Sequence, residues 1–206
     1  IHDQEVGVSF RNGTESGAGT LTNNIVRNSI IKDSYRAVAV STSTSGATFL
    51  RNKIYNCTCD NANFFVYTDG TFSNKGMEFT NNIFINIGSV GKSTSGMVFN
   101  YNNYWNSWTS KLGTNSTNNN PQLDNNFKPQ NKALKAGTPL KNINFDKNKN
   151  YRDSSKPTIG AIEINDNSTS SIKADAGSDQ TICLGEDAIL TASGGSSYKW
   201  SNGATT

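Results

Sequence analysis

Short runs of alternating apolar and polar residues follow one another along the chain, and one run recurs four times with its asparagines in equivalent places. Each copy reads apolar-x-x-Asn-x-apolar-x-Asn, and the copies occupy residues 21–28, 49–56, 79–86 and 99–106. The steps between them are roughly 28, 30 and 20 residues, a length that suits one coil of a β-solenoid and is short for a propeller blade. The pattern therefore predicts an all-β fold of stacked, similar coils.

Strand alternation predicts which side chains of each copy face the interior. Successive side chains of a strand point to opposite faces, so the first residue of a copy and the residue two before it share one face. We expect this face to form the core and the residue between them to point outward. The inward residues are Gly19, Leu21, Ala47, Phe49, Met77, Phe79, Met97 and Phe99, and the outward ones are Thr20, Thr48, Glu78 and Val98.

The asparagines of the repeat predict sharp corners between strands. Asn tolerates the left-handed backbone conformation that such a corner requires, and its amide can bond the same amide one coil away. We expect two columns of stacked asparagines, each along one axis of the molecule. The first comprises Asn24, Asn52, Asn82 and Asn102, and the second comprises Asn28, Asn56, Asn86 and Asn106.

Composition and charge narrow the range of functions. Hydrophobic residues make up 33% of the chain and charged residues 17%, but aromatics make up 10%, which favours a folded β-protein over a disordered chain. The net charge of +3 is small and the Lys and Arg residues are scattered, so we expect no nucleic-acid partner. No apolar run approaches the roughly 20 residues that span a bilayer, so we expect no membrane span. Because Ile1 is not an initiator, we expect the chain to belong to a longer protein.

Potential metal ligands are few. The chain has three cysteines, an odd number, and a single histidine, so we expect Cys57 and Cys59 to be small packed residues and not zinc ligands. No Asp-x-Asp-x-Asp run occurs. Ca²⁺ is then the only cofactor to consider, with Asp60 or Asp69 as individual ligands.

Residues 1–164 resemble the right-handed parallel β-helix superfamily typified by pectate-lyase-like proteins. The resemblance rests on the repeat and on the closing runs Asn-Pro-Gln-Leu-Asp at 120–124, Ala-Leu-Lys-Ala-Gly-Thr-Pro-Leu at 133–140 and Pro-Thr-Ile-Gly-Ala-Ile-Glu at 157–163. It implies a right-handed helix of parallel strands whose C-terminal capping segment wraps the last coil and covers its open end. It also implies an extracellular protein that acts on polysaccharide.

A polar linker is predicted at residues 165–173, and the sequence pattern changes at residue 174. Residues 174–206, with Thr-Ile-Cys-Leu-Gly-Glu at 181–186 and Tyr-Lys-Trp-Ser-Asn-Gly at 198–203, resemble the opening strands of the PKD-like or Ig-like modules that follow catalytic domains in secreted Bacteroidetes proteins. The resemblance implies an incomplete Ig-like β-sandwich with Trp200 in its core. It also implies that Cys183, which commonly pairs with a later cysteine, is free in this chain.

A second strand row places candidate site residues on one outer face. With Val8, Val38 and Val66 in register, alternation turns two further rows outward. Residues two coils apart in a row are about 10 Å from one another, with small residues between them as a shallow floor. The outward rows are Ser9, Ala39 and Tyr67, and then Arg11, Ser41 and Asp69.

The resemblance implies catalytic roles for some of these residues. Lyases of the superfamily bind an extended acidic sugar across the parallel strands and cleave it by β-elimination, in which a cation or arginine neutralises the uronate and a base removes the C5 proton. Arg11 or Arg36 would then neutralise the charge, and Tyr67 would transfer the proton. Asp69 is a further candidate, without an obvious partner carboxylate for hydrolysis. The alternative is that all four are ordinary solvated surface residues.

Three aromatic residues near the last coil are candidates for substrate binding. Tyr101, Trp105 and Trp108 form this cluster. They either pack under the capping segment or stack on sugar rings.

The two resemblances imply a secreted or cell-surface protein, monomeric, with a polysaccharide as its partner. A lyase is favoured over a glycoside hydrolase, because hydrolysis needs two carboxylates facing one bond. The competing class is a non-catalytic glycan-binding or adhesin solenoid, whose surface should show only ladders of Ser, Thr and Asn. We expect the main catalytic coils to lie before Ile1.

Overall fold

The computed structural model describes residues 4–12, 19–42, 46–69, 72–89, 94–107 and 113–165, together with residues 181, 199, 200, 203 and 205. The side chains of Gln4, Asn12, Asp69 and Phe72 lie outside the described part. The chain divides into two compact units, Ile1–Ile164 and Asn165–Thr206. All of the described strands belong to the first unit.

The first unit is all-β with parallel sheets, and the predicted fold class is confirmed at that level. Its described strands are β1 (Gln4–Asn12), β2 (Thr20–Thr22), β3 (Ile25–Arg27), β4 (Ile30–Thr42), β5 (Ala47–Leu50), β6 (Lys53–Tyr55), β7 (Thr58–Asp69), β8 (Phe72–Lys75), β9 (Met77–Thr80), β10 (Ile83–Ser89), β11 (Met97–Asn100) and β12 (Asn103–Trp105). They form three sheets, ordered β1-β4-β7-β10-β12, β11-β9-β6-β3 and β2-β5-β8. The described residues form no α-helix, and Lys132–Leu134 form a 3-10 turn.

Three corners with a left-handed backbone separate the strands of each repeat. Glycine and asparagine supply most of these positions because they adopt positive φ at low cost. The strand registers place the corners of successive repeats above one another. The columns are Asn23, Arg51, Gly76 and Gly96; then Asn28, Asn56, Asn81 and Tyr101; then Asp33, Asn61, Asn86 and Asn106.

The expected register of the asparagine columns was wrong between the second and third repeats. Asn24 donates its side-chain amide to Asn52 Oδ1 at 2.9 Å, and Asn82 donates its own to Asn102 Oδ1 at 3.0 Å, so these pairs stack as predicted. Asn82 does not follow Asn52, because Asn82 Oδ1 accepts the backbone N–H of Cys57 at 2.9 Å. The asparagines therefore form two short ladders in different columns.

The physical reason is that the corners of one repeat are evenly spaced and alike in sequence. A pattern of apolar-x-x-Asn fits either of two adjacent corners, so sequence comparison cannot separate them. The repeats in fact step by 28, 25 and 20 residues. Phe79 consequently pairs with Ile54 and not with Phe49, and Asn86 follows Asn61 and not Asn56.

Replacing Asn82 with alanine should lower the free energy of unfolding by about 2 kcal/mol, because each buried partner left unsatisfied costs free energy. The Asn82 side chain is fully buried and bonds Cys57 N–H and the Ile54 carbonyl. Asn24→Ala is the matched control, since Asn24 makes the same ladder bond at an exposed position and should cost less than about 0.5 kcal/mol. Urea denaturation measures both, and equal losses would contradict the burial argument.

The interior is filled by apolar side chains on the faces that strand alternation predicts. Val98, predicted to point outward, is 52% exposed. Phe79 and Phe99 stack with ring centroids 4.9 Å apart and planes inclined by 14°. The residues that were predicted to face inward and are buried are Ala47, Phe49, Met77, Phe79 and Phe99.

Cys57 and Cys59 are packed core residues, as predicted. Both are fully buried free thiols. Burial raises the pKa of Cys57 to about 12 and the pKa of Cys59 well above its ordinary value, because a thiolate would lose its hydration. Neither thiol is therefore a reactive group in the folded protein.

The C-terminal segment meets the last repeat and then continues along the sheets. Its first part pairs in parallel with the last repeat, where Thr114 bridges Asn100 and Thr117 bridges Asn103. Later residues lie along the outside of the sheets and reach the first described repeat. There the Asn28 side-chain amide donates to the carbonyl of Phe145 at 2.8 Å.

An apolar outer surface on β10 explains this course. Ile83 and Ile85 point away from the main core, and the C-terminal segment buries both with its own apolar side chains. A polar corner adds specific bonds, since Asn81 Nδ2 donates to the Thr138 carbonyl at 2.7 Å. The run Ile83-Phe84-Ile85 is apolar on both faces, a pattern that indicates a strand covered on both sides. The segment residues in this second cluster are Leu123, Leu134, Ala136, Ile159 and Ile164.

A buried ion pair lies within the same segment. Arg152 is 8% exposed and Glu163 is 2% exposed, with Nη1 and Oε2 3.3 Å apart. Arg152 also donates to Asn28 Oδ1 at 2.9 Å, so it links the segment to a corner of the sheets. Arg152 also donates to the carbonyls of Thr158, Gly160 and Ala161.

In the second unit the described residues include an antiparallel bridge between Lys199 and Thr205, with Trp200 partly buried. Cys183, the linker beyond residue 165 and most of the expected Ig-like strands lie outside the described residues. Where the structure describes the chain, it contains no helix of the length and apolarity needed to cross a bilayer.

Candidate ligand-binding groove

The long strands β1, β4 and β7 bring the predicted site rows together. Val8 pairs with Val38 and Val38 pairs with Val66, so the predicted register of this row is confirmed. The next positions follow, with Ala39 beside Tyr67 and Arg11 beside Ser41. Side chains from three successive repeats therefore share one outer face.

A concave groove of about 440 Å³ lies on this face. Its floor is shallow because the residues of β4 are small, and Ala39 is only 5% exposed beneath the larger side chains. The predicted residues Arg11, Arg36 and Tyr67 all line it. The lining also includes Ser9, Ala39 and Ser41.

Arg36 is the most constrained charge in the groove. Its guanidinium carbon lies 4.2 Å from the centre of the Tyr67 ring and 5.3 Å from that of Tyr35. Nη1 donates to Glu5 Oε1 at 2.8 Å. Stacking on aromatic faces holds a guanidinium in place while leaving its donors at the ring edge available for an anion. Arg36 is therefore positioned before any ligand arrives.

Phe64 supports the two tyrosines that flank Arg36. Its ring centroid lies 5.3 Å from Tyr35 and 5.6 Å from Tyr67, with both pairs edge to face. Phe64 is also the backbone partner of Arg36 in the β4–β7 register. The sequence reasoning missed Tyr35 and Phe64, and it considered Glu5 only as a partner carboxylate for Asp69. Strict alternation from Val66 would turn Phe64 inward, so the sequence pattern gave no signal for it. Phe64 reaches the outer face because Phe65 and Val66 both belong to the core.

Of the remaining predicted site residues, two lie away from this arrangement and two have side chains that the structure does not describe. Asp69 pairs with Ser41 through its backbone, but its side chain lies outside the described residues. Trp108 also lies outside them. Tyr101 occupies a left-handed corner and Trp105, 37% exposed, ends β12, and neither lines the groove. Among the described ring contacts, none joins Tyr101 to Trp105.

The described residues hold no group of three or more His, Cys, Asp and Glu side chains arranged to bind a metal. Asp60, a candidate Ca²⁺ ligand, accepts a bond from Asn86 Nδ2 at 3.1 Å. Partial burial raises the pKa of Asp60, which makes its charged form less favourable. This carboxylate belongs to a structural side-chain ladder on the outside of the corners.

The charges of the groove determine what it can do. Two guanidinium groups and a phenol face it, and none of its described lining side chains is a carboxylate. Such a surface fits an anionic ligand, and a phenol beside a fixed cation is suited to proton transfer. Glu5, at the rim, is 73% exposed.

Comparison of the chain with protein-family models, with curated proteins and with solved structures finds no match in any of the three. The chemistry of the groove is therefore the basis for a functional proposal.

Proposed function

We propose that the first unit is a right-handed parallel β-helix that binds an extended acidic polysaccharide in the groove and cleaves it as a lyase. The observation that carries the proposal is the convergence of Arg11, Arg36 and Tyr67 from three successive repeats on one concave surface. A polymer lying across the strands would meet these side chains in order.

The strand connections support the β-helix part of the proposal. Each sheet contains parallel strands taken from successive repeats, with corners stacked above one another. Crossovers between parallel strands of one sheet are right-handed in about 98% of cases, which favours a right-handed stack. The resemblance to pectate-lyase-like proteins gives the same handedness. It also favours an extracellular, monomeric protein followed by a PKD-like or Ig-like module.

The ion pair between Arg36 and Glu5 supports binding of a uronate. The Glu5 carboxylate occupies the place where a ligand carboxylate would meet the guanidinium. An exposed pair of this kind contributes about 0–1 kcal/mol, so exchanging one carboxylate for another costs little. The aromatic contacts of Arg36 persist in either state.

The elimination would proceed with the groove residues in distinct roles. Arg36 and Arg11 neutralise the uronate carboxylate, which stabilises the carbanion that develops at C5. Tyr67 removes the C5 proton and passes it to the leaving oxygen on C4. The electrons of the C5–H bond form the C4–C5 double bond as the C4–O bond breaks, so the products are one unsaturated end and one new hydroxyl.

A non-catalytic glycan-binding protein is the second candidate. The exposed side-chain ladder favours it, since Asn61 donates to Asp33 at 2.7 Å and Asn106 donates to Asn86 at 2.6 Å. Such a ladder offers regularly spaced polar groups to a sugar chain. Hydrolysis has less support, because the described lining of the groove lacks the pair of carboxylates that it requires.

Replacing Arg36 or Arg11 with glutamine should weaken binding of polygalacturonate about ten- to a hundredfold each, since a charged hydrogen bond contributes about 1.5–3 kcal/mol. Isothermal titration with uronate and neutral oligosaccharides, together with ultraviolet absorbance of unsaturated ends, measures binding and cleavage in the same preparations. Lys75→Gln is the control, because Lys75 is exposed and lies outside the groove. Equal affinity for a neutral polymer, or no effect of either arginine, would overturn the proposal.

A further inference from the structure

Two exposed aromatic rings form a separate surface on the C-terminal segment. Tyr151 is 74% exposed and Phe145 is 43% exposed. Among the other described aromatic side chains, only Tyr35, at 45%, is more exposed than Phe145. Their ring centroids are 4.5 Å apart and their planes are inclined by 41°. An antiparallel bridge joins the two residues through their backbones. We call this pair the aromatic platform.

The platform is rigid because a buried carboxylate, Asp146, holds the loop between the two rings by hydrogen bonds. Asp146 is 4% exposed, and its Oδ1 accepts the backbone N–H groups of Asn148 and Asn150 at 2.8 Å each. Its Oδ2 accepts the backbone N–H of Glu163 at 2.9 Å. A surface ordered in advance loses little conformational entropy when it binds a ligand.

The platform is anchored to the sheets at a corner and lies apart from the groove. Asn28 Nδ2 donates to the carbonyl of Phe145, and Arg152 N donates to the carbonyl of Asn144 at 2.8 Å. Neither Phe145 nor Tyr151 is among the residues that line the groove. The two surfaces can therefore be altered independently.

The loop that joins the two rings is positively charged. Lys147 and Lys149 are both exposed and lie between the two rings in sequence. The single carboxylate of the loop, Asp146, is saturated by internal donors and does not face solvent. Exposed aromatic faces on a loop that carries two ammonium groups match a ligand that combines apolar ring faces with negative charge. A uronate-containing glycan has this combination.

We propose that the aromatic platform is a second binding site for acidic polysaccharide. Tyr151 and Phe145 stack on the sugar rings, and Lys147 and Lys149 attract the carboxylates. The choice of a uronate polymer rests on the proposed function, but the platform itself does not depend on the groove. A polymer held at both sites gains avidity, since the second contact becomes intramolecular.

The test uses the full chain with Arg36→Gln, so that groove binding is already weakened. Residual affinity for polygalacturonate is measured by gel retardation and by isothermal titration. It should fall about tenfold on adding Tyr151→Ala, which corresponds to loss of one stacking contact. The residual affinity should be retained in Tyr151→Phe, which keeps the ring. It should also fall as salt is added, and this salt dependence should be smaller when Lys147 and Lys149 are replaced.

The outcomes separate the platform from the groove. If Tyr151→Ala binds as well as its parent, or if no residual binding exists, the platform proposal is wrong whatever the groove does. If the wild-type groove shows no dependence on Arg36 while Tyr151→Ala abolishes binding, the platform stands and the proposed function fails. Sedimentation that shows a dimer lost in Tyr151→Ala would assign the rings to self-association and overturn the proposal. An unchanged thermal unfolding temperature of Tyr151→Ala would show that the variant folds normally.

Discussion

Replacing Arg152 with methionine should lower the free energy of unfolding by about 3–5 kcal/mol, the usual cost of removing one partner of a buried ion pair. The guanidinium is buried against Glu163 and bonds Asn28 on the sheet. Its loss leaves a carboxylate in the interior without its cation and leaves several carbonyls without donors. It also removes one of the bonds that hold the C-terminal segment to the first described repeat, the bond to Asn28. Urea denaturation followed by circular dichroism measures the change.

The pH dependence of the same variant has a definite sign. In the wild type, burial already lowers the pKa of Arg152 and raises the pKa of Glu163. A carboxyl group whose folded pKa is raised contributes stability below its unfolded pKa and loses that contribution as pH rises through the folded pKa. Without the cation, the Glu163 pKa rises further. The deficit of Arg152→Met should therefore be largest at neutral pH and should shrink as pH falls toward about 4.

Two further variants isolate the ion pair from simple loss of packing. Adding Glu163→Gln to Arg152→Met should recover part of the lost stability, because the uncompensated charge is gone. Lys156→Met on the exposed part of the same segment should change stability by less than about 0.5 kcal/mol. A loss below 1 kcal/mol for Arg152→Met at neutral pH, or no recovery in the double variant, would contradict the assigned role.

Tyr67→Phe should lower the rate of polysaccharide cleavage by about 10²–10⁴-fold, the usual contribution of a positioned proton-transfer group, with little change in affinity. Phenylalanine retains the ring on which Arg36 stacks, 4.2 Å away, and removes only the hydroxyl. The measurement is the initial rate of formation of unsaturated ends at saturating polymer. Binding is followed in parallel by titration.

Tyr35→Phe is a closely matched control for this experiment. Tyr35 also stacks on Arg36, at 5.3 Å, but it does not line the groove, so its hydroxyl has no role in the proposed chemistry. Its variant should cleave at the wild-type rate. If the wild type binds through Arg36 and releases no unsaturated product, the protein is a binder and not a lyase. If Tyr67→Phe cleaves normally, the proton is carried by another group.

Part of the groove was predictable because the C-terminal parts of β1, β4 and β7 follow simple alternation. Alternation breaks earlier in β7, where Phe65 and Val66 both belong to the core. Aligning Val8, Val38 and Val66 was enough to place Tyr67 beside Ala39. The asparagine columns were less predictable, because three similar corners in each repeat offer several equivalent alignments. Asn82 was assigned above Asn52 on a pattern that fits the next corner equally well.

The sequence pattern could not predict contacts between residues that lie far apart along the chain. Arg36 was a candidate on charge alone, and its ring contacts depend on Phe64 in the neighbouring repeat. The aromatic platform was also missed, since Phe145 and Tyr151 lie in a segment that the resemblance treated as a cap. The apolar outer face of Ile83 and Ile85 was the available signal that this segment packs against β10.

By itself, the sequence determined that the chain folds as parallel β-structure, which residues face inward, and which outer rows carry Arg11 and Tyr67, because strand alternation is a local property of each segment. The tertiary structure alone decided how many residues separate successive repeats, where the closing segment runs and how Arg36 is held. These depend on which distant surfaces bury one another, and burial between residues far apart in sequence leaves no period along the chain.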